Sequence, residues 1–489
     1  MSQISVNDLT FCYDGSYDNI FEHVSFQIDT DWKLGFTGRN GRGKTTFLNL
    51  LLGKYEYMGS ISASVSFDYF PFDVPDMGRD TVDILEEISF NHAPWQLVRE
   101  LSLLGVDEGA LYRPFSTLSH GERTKALLAA LFLKENNFLL IDEPTNHLDM
   151  RARDIVRDYL NAKKGFILVS HDRAFLDGCV DHILSINKAN ITVTKCNFSQ
   201  WWENKERQDA FELGENEKLM GEIHHLADAV KRTAGWSDAI EATKIGSGAG
   251  DRGYIGHQSA RMMKRAKAIE KRRQNAVEEK SKLLKNIERN ENLAVHPLAH
   301  RSERLLEIRD LAVSYPGRDV FSNFNLELKR GERVALTGAN GCGKSSIVKL
   351  VAGEDIPHAG VVRTASGLVL SYVPQDTSFL AGGLMDYAAR EGVDASLFLT
   401  ILRKLDFPRV QFEKDMRSFS AGQRKKVLLA KSLCERAHLY IWDEPLNYVD
   451  VLSRMQIESL IREGQPAMLF VEHDRAFVNN AATRVIGLS

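Results

Sequence analysis

The chain has 489 residues, 43% of them hydrophobic, with 62 Lys+Arg against 66 Asp+Glu. That length allows two to four domains of roughly 100 to 200 residues, and a net charge of −4 excludes a globally basic nucleic-acid or membrane binder, so any basic surface is local. With no run of 18 apolar residues, no signal-like N-terminus and five scattered cysteines lacking a C-x-x-C pair, a membrane span, secretion, a disulfide framework and a zinc site are not expected; a reducing cytoplasm is.

The first strong element is the apolar run KLGFTG, a buried strand that ends in Gly38-Arg-Asn-Gly-Arg-Gly43-Lys44-Thr45 and opens a helix. Glycines at this spacing turn backbone N–H groups inward around phosphates, and the helix N-terminus adds favourable partial charge. Lys44 suits the β- and γ-phosphates, and the Thr45 hydroxyl suits Mg²⁺. ERTKALLAALFLK then repeats apolar residues every three to four positions, as a helix does. NFLLID and GFILVS are further buried strands, delivering Asp142 and Glu143, then His171, to the same sheet edge. Asp142 fits a Mg²⁺ ligand and Glu143 is placed to polarise an attacking water, although a carboxylate here also suits capping the next helix.

The segment after residue 205 is different. From Lys218 to Arg289 there are 16 Lys+Arg against 9 Asp+Glu, a local +7. Leu219, Ile223, Leu226 and Val230 step by four, three and four, and Ile269, Ala276 and Leu283 step by seven, the seam of two packed helices. The glycine-rich stretch between them predicts an antiparallel hairpin, with a first helix from about Glu206 to Ala234 and an extended tip over about 235–258. Arg261, Lys264, Arg265, Lys267, Lys271, Arg272 and Arg273, with only Glu270 among them, suit a nucleic-acid phosphate backbone or simply a solvated face. Trp236, Tyr254 and His257 suit stacking on bases or packing of the tip itself.

Beyond residue 302 the chain repeats itself. Lys344, in Gly338-Ala-Asn-Gly-Cys-Gly343-Lys344-Ser345, follows Lys44 by 300 residues. FSAGQRKKVLLAKSLC matches LSHGERTKALLAALFL, LYIWDEPLNYVD matches FLLIDEPTNHLD, and FVEHDRAF matches LVSHDRAF. Asp443, Glu444 and His473 thereby match Asp142, Glu143 and His171, and the paired histidines favour γ-phosphate sensors over structural residues. The reading is α/β, with two copies of one domain, residues 1–205 and 303–489, joined by a helical hairpin over 206–302. The candidate phosphate contacts are Gly38, Asn40, Gly41, Gly43, Lys44, Thr45 and Thr46, and Gly338, Asn340, Gly341, Gly343, Lys344, Ser345 and Ser346.

Phosphate loop, LSHGE or FSAGQ, the DEP strand and then HD, in this order and twice, resemble the nucleotide-binding domains of ABC ATPases. The resemblance covers nearly the whole chain except about residues 206–300. It implies ATP and Mg²⁺ as ligands, and it implies that Ser119 with Gly121, and Ser420 with Gly422, reach the ATP held by the opposite copy, so that one chain suffices as a monomer. It makes Tyr13 and Tyr315 adenine-stacking aromatics and Gln375 of SYVPQ a ligand to Mg²⁺ and water. The first copy reads DYFPF, so Phe72 stands in that place and puts hydrolysis there in question.

EPTNHLD, the two copies, the linker length and the lack of a membrane span together resemble the ABC-F proteins, which act on the ribosome. The DTDWKLGFTGRNGRGKTT stretch and the EPLNYVD variant resemble the Lsa/Vga-type antibiotic-resistance members. The resemblance implies a bacterial ribosome as partner (rRNA and P-site tRNA), a hairpin entering the tRNA exit region, and protection against lincosamide, streptogramin A or pleuromutilin antibiotics. Phe72 to Leu118 and Gln375 to Phe419 span 46 and 44 residues, so no arm insertion is expected, nor a long C-terminal extension. The alternatives are an ABC-F factor for stalled ribosomes and the motor subunit of a transporter; a repair or SMC-type ATPase fits less well, lacking long arms and zinc-type cysteines.

Overall fold

The computed structural model describes residues 2–13, 19–89, 93–134, 136–146, 148–187, 190–242, 264, 271–272, 295, 297–315 and 318–488. By contacts the chain divides into one compact unit, Met1–Ser199 with Asn290–Ser489, and a second, Gln200–Arg289.

The first copy runs β1 (Gln3–Phe11), β2 (Phe21–Asp29), β3 (Lys33–Thr37), α1 (Lys44–Leu51), β4 (Met58–Ser62), β5 (Ser66–Phe70), α2 (Thr81–Ser89), α3 (Pro94–Leu103), α4 (His120–Phe132), β6 (Asn137–Asp142), α5 (Met150–Asn161), β7 (Phe166–Val169), α6 (Arg173–Cys179), β8 (His182–Asn187) and β9 (Asn190–Thr194). Its central sheet has the order β5-β6-β7-β3-β8-β9, parallel as far as β8, and an antiparallel sheet β2-β1-β4 accompanies it. Strands buried on both faces read as unbroken apolar runs. Phe138, Leu139, Leu140 and Ile141 of β6 are all buried accordingly. Phe47 of α1 meets Phe36 of β3 edge-on at 5.5 Å, which seats α1 against the sheet and fixes the loop between them.

The second copy runs β10 (Arg304–Tyr315), β11 (Arg318–Lys329), β12 (Arg333–Gly338), α8 (Lys344–Ala352), β13 (His358–Thr364), β14 (Leu370–Val373), α9 (Leu384–Arg390), α10 (Ala395–Lys404), α11 (Ala421–Cys434), β15 (Leu439–Asp443), α12 (Val451–Gly464), β16 (Met468–Val471), α13 (Arg475–Ala481) and β17 (Arg484–Leu488). Its parallel sheet, β14-β15-β16-β12-β17, repeats the order of the first, beside the antiparallel β11-β10-β13. In both, the phosphate loop leaves the central strand where neighbouring crossovers diverge, the usual ligand crevice of an open α/β sheet. Val295 and Leu298, expected in the linker, pack onto this copy instead. Val295 is buried in its core, and the Leu298 N–H donates to Ala437 O at 2.8 Å.

The helix α7 spans Phe198–Ala242, 45 residues and so roughly 68 Å at 1.5 Å per residue, with its first two residues in the first unit and the rest in the second. It begins earlier and ends later than the expected Glu206–Ala234. Its start is fastened by Asp177, which accepts from the Ser199 N–H at 2.8 Å. It continues through Gly235 because one glycine costs only about 1 kcal/mol relative to alanine and Ala, Ile and Glu follow. The first residues expected at the tip are therefore helical. Leu219, between exposed Lys218 and Met220, and Ile223 are half-buried, while the Leu226 and Val230 side chains lie outside the described residues. The second seam, Ile269, Ala276 and Leu283, lies outside the described residues, as do Tyr254, His257, Arg261, Arg265, Lys267, Arg273 and the Trp236 side chain. Lys264, Lys271 and Arg272 are helical and exposed. Among the described residues no helix is long and apolar enough to cross a membrane.

Candidate functional site

The two phosphate loops are built alike. Gly43 and Gly343 sit at φ 95° and 96°, and a Cβ at either would come within 2.6 Å of a neighbouring side chain, Ile20 or Phe321. Only glycine serves there. The lysines fold back onto their own loops: Lys44 Nζ donates to Gly38 O at 2.6 Å and Arg39 O at 3.2 Å, and Lys344 Nζ to Gly338 O at 2.9 Å and Ala339 O at 2.8 Å. A polyphosphate would take over these bonds. Thr45 Oγ1 donates to Asp142 Oδ2, and Ser345 Oγ to Asp443 Oδ1, each at 3.2 Å. Asp443 Oδ2 is buried with no hydrogen-bond partner, an orphaned anionic oxygen of the kind a hard cation satisfies. The hydroxyl and carboxylate in each copy fit Mg²⁺.

Each loop faces the other copy. One cleft of about 460 Å³ joins Asn40, Gly41, Lys44, Thr45, Asp142, Glu143 and His171 to Ser420 and Gly422. The other, of about 840 Å³, joins Asn340, Gly341, Gly343, Lys344, Ser345, Ser346, Tyr315, Gln375, Glu444 and His473 to Ser119 and Gly121. Ser119 caps α4 and Ser420 caps α11, each in a reciprocal box with Glu122 or Gln423. Two helix N-termini thus point at the opposite phosphate loop, where an anion is favoured. Tyr13 Oη lies 2.8 Å from Thr46 Oγ1 and Tyr315 Oη 3.1 Å from Ser346 Oγ, so both rings stand beside their loops.

The carboxylates after the strands hold left-handed backbone, φ 51° at Glu143 and 47° at Glu444, costing on the order of 1–3 kcal/mol. Their N–H groups are pinned to Val169 O at 2.9 Å and Val471 O at 3.0 Å. A helix cap needs no such strain; an aimed side chain does. Around them the copies diverge. Gln375 and Asn447 amides donate to Glu444 Oε2 at 2.8 and 2.7 Å, and His473 Nε2 lies 3.4 Å from Oε1. Burial alone would raise Glu444, but His473, Gln375 and Lys425 outweigh it and hold the carboxyl at about 2. Glu143 is pushed up to about 8, by burial first and then by Asp142. His171 Nε2 lies 3.2 Å away, yet Glu143 Oε1 has no hydrogen-bond partner. Burial, with Lys44 and Arg454, drives His171 well below its ordinary range and keeps it neutral. Phe72 is 41% exposed.

Several contacts between the copies were not expected from sequence, nor was a role for Arg153, Tyr448 or Asp149. Arg153 Nη1 reaches across to His473 O at 3.0 Å, Asn40 Nδ2 to Tyr448 O at 3.1 Å, and the Asn340 N–H to Asp149 Oδ2 at 3.4 Å. Phe72 is also not the sole asymmetry, as the register allows one to see: Thr124 matches Lys425, Ser170 matches Glu472, Gly105 matches Asp406 and Arg39 matches Ala339.

A family described as ABC transporter matches residues 21–146 and 321–447. The chain is 26% identical to the ribosome protection protein VmlR of Bacillus subtilis, over 98% of this chain and 85% of that one. It is 27% identical to the ATP-binding protein Uup of Caulobacter vibrioides, over 96% and 74%. Among solved structures, an archaeal ribosome recycling factor in complex with a ribosomal stalk protein superposes with TM-score 0.64 at 19% identity, over 98% of this chain and 87% of that one, a likeness of fold.

Proposed function

The chain belongs to the ABC ATPase family, in its ABC-F class, and from that premise we propose that it binds bacterial ribosomes and protects the peptidyl-transferase centre from lincosamide, streptogramin A or pleuromutilin antibiotics. The observation that carries the reading is the likeness to a ribosome protection protein, over 98% of this chain and 85% of that one, in a chain whose two copies are joined in sequence by a segment of local charge +7. The hairpin, with its tip near residues 235–258, would enter the tRNA exit region beside P-site tRNA. Arg261, Lys264, Arg265, Lys267, Lys271, Arg272 and Arg273 would meet rRNA phosphates, and Trp236, Tyr254 and His257 its bases. The site of action is the cytoplasm, and the working species is a monomer, because both clefts form within one chain.

ATP lies with its phosphates in the loop of one copy and its γ-phosphate against the capped helix of the other, the adenine against Tyr13 or Tyr315. Binding therefore closes the two copies. Mg²⁺ would be held by Thr45 and Asp142 in one cleft, and by Ser345, Asp443 and Gln375 in the other, supplying charge neutralisation on the phosphates. Glu444 accepts a proton from the attacking water, Gln375 and Asn447 keep its carboxylate in place, and His473 reads the γ-phosphate. Glu143 and His171 hold the matching positions. Hydrolysis opens the clefts and releases the ribosome.

The test is co-sedimentation of Glu143→Gln/Glu444→Gln protein with bacterial ribosomes, with and without ATP, beside a version lacking residues 240–255. ATP-dependent pelleting is expected, retained in the deletion while drug protection is lost. Pelleting with no protection by the intact chain would leave a factor for stalled ribosomes. No pelleting in either nucleotide state would overturn the ribosomal reading and direct attention to a transporter partner.

A further inference from the structure

Behind the larger cleft lies a buried ammonium that the first copy lacks. Lys425 of α11 and Glu472, just after β16, are both buried, and they stand where the first copy has Thr124 and Ser170. Lys425 Nζ donates to Pro374 O at 3.0 Å and more weakly to Asp443 O at 3.4 Å. Those carbonyls belong to the residues directly beyond Val373 and Trp442, the last pair of the β14–β15 ladder. The ammonium thus spans the point where the two strands part. Pro374 leads into Gln375, and Asp443 into Glu444; these two side chains meet at 2.8 Å. Glu472 accepts from the N–H groups of Leu446 at 2.8 Å and His473 at 3.0 Å. In the first copy the residues matching Leu446 and Glu472 are Thr145 and Ser170, whose hydroxyl oxygens lie 3.2 Å apart.

Removing an ammonium from water costs several kcal/mol unless charge and hydrogen bonds compensate. Here the facing charges are Asp443, Glu444, Glu472 and Asp376; Asp376 has a counterpart, Asp73, in the first copy, and Glu472 is the carboxylate that the second copy adds. The lysine and its added counter-charge occur together in the copy that carries Gln375, and both are missing from the copy that carries Phe72. A lysine serving only the fold would be needed equally in both.

We propose that Lys425 is a positioning residue for hydrolysis in the Lys344 cleft, fastening the ends of β14 and β15 so that Gln375 is held on Glu444. This rests on Glu444 being the base.

The experiment uses the full chain in a Glu143→Gln background, where phosphate release reports on the Lys344 cleft. Lys425→Met keeps the apolar stem and removes the ammonium. It is expected to lower kcat by about tenfold or more, the worth of one charge-assisted hydrogen bond, while the KM for ATP and nucleotide binding to the Lys44 cleft stay within about twofold. If Lys425 acts through Gln375, Lys425→Met costs nothing further once Gln375→Ala is present. An unchanged kcat, a loss of both kcat and KM, or losses that multiply in the double variant would each overturn the proposal. Glu444→Gln in the same background is the separate control: if it leaves turnover intact, the assignment of the base fails and not this inference alone.

Discussion

In the cleft built on Lys344, the Gln375 and Asn447 amides hold an ionised Glu444, and Asp443 keeps a buried oxygen without a partner. In the cleft built on Lys44, Asp142 Oδ2 is already engaged by Thr45 and by the Tyr69 hydroxyl at 2.9 Å, and Glu143 holds its proton. The matching Tyr372 hydroxyl in the second copy is buried with no hydrogen-bond partner. The strands, the loop glycines and the left-handed carboxylate recur almost unchanged. What differs is a handful of polar side chains one layer behind the loop. Binding a polyphosphate needs the backbone frame, which both copies have. Cleaving it needs an ionised base held in register, and the second copy is furnished for that.

The largest expected effect tests this division directly. Glu444→Gln should lower steady-state phosphate release by on the order of 10² to 10⁴, the usual worth of a positioned general base. Glu143→Gln should change it by no more than about threefold. Equal losses would show that the clefts turn over in strict alternation and that the electrostatic difference does not govern rate.

The next prediction concerns pH. A base works deprotonated, so a carboxyl pushed up to about 8 by burial and Asp142 is only about one-tenth ionised at pH 7 and loses its proton as pH rises through 8. The residual single-turnover rate of Glu444→Gln protein, which reports on the Lys44 cleft, should therefore climb about tenfold between pH 7 and 9. In Glu143→Gln protein the proposed base is Glu444 at about 2, and its ionisation would contribute no slope from pH 6 to 8. A flat profile for the first variant would show that nucleotide binding removes the difference. A third, smaller effect is Phe72→Gln in the Glu444→Gln background. Phe72 is 41% exposed, so the change costs the fold little, and a restored amide on Glu143 should raise single-turnover hydrolysis by a few-fold.

The frame was legible in the sequence because repetition wrote it twice: 300-residue spacing gave the copies, and each loop, signature and strand end came with its partner. The pairing of Lys44 with Ser420 follows from family resemblance, and the structure brings those residues into one cleft. The divergence was harder to read. Phe72 broke a motif and stood out, whereas Lys425, Glu472 and Asp406 lie where no motif demands a residue, and their partners are backbone carbonyls, amides or side chains far away in sequence. The linker helix outran its expected ends because periodicity marks a seam but not a start, which a carboxylate on α6, Asp177, supplies. The packing of Val295 against the second copy was hidden for the same reason, since one apolar residue has no period.

The smallest predicted effect concerns a charge pair between a side chain of the Lys44 loop and one of the other copy. Arg39 Nη1 lies 3.6 Å from Asp406 Oδ1, where the other cleft has Ala339 and Gly105. Gly105 and Asp406 share left-handed backbone, φ 64° and 56°, so the second copy keeps a carboxylate at a position that favours glycine. Asp406→Gly should then have opposite effects on two measurements. It relieves about 1 kcal/mol of backbone strain, so thermal stability is unchanged or slightly raised. It also removes a pair whose side chains are 12% and 30% exposed but stand 3.6 Å apart, a loss of about 0.2–1 kcal/mol for so long a contact, which speeds release of a fluorescent ATP analogue from the Lys44 cleft by up to about fivefold. Arg39→Ala should speed release equally, and the double variant, which recreates the pair of the other cleft, should be no faster than either single change. Multiplying effects would mean that Arg39 acts on the nucleotide itself, and the retention of ATP in that cleft would then belong to its own loop and not to the opposite copy.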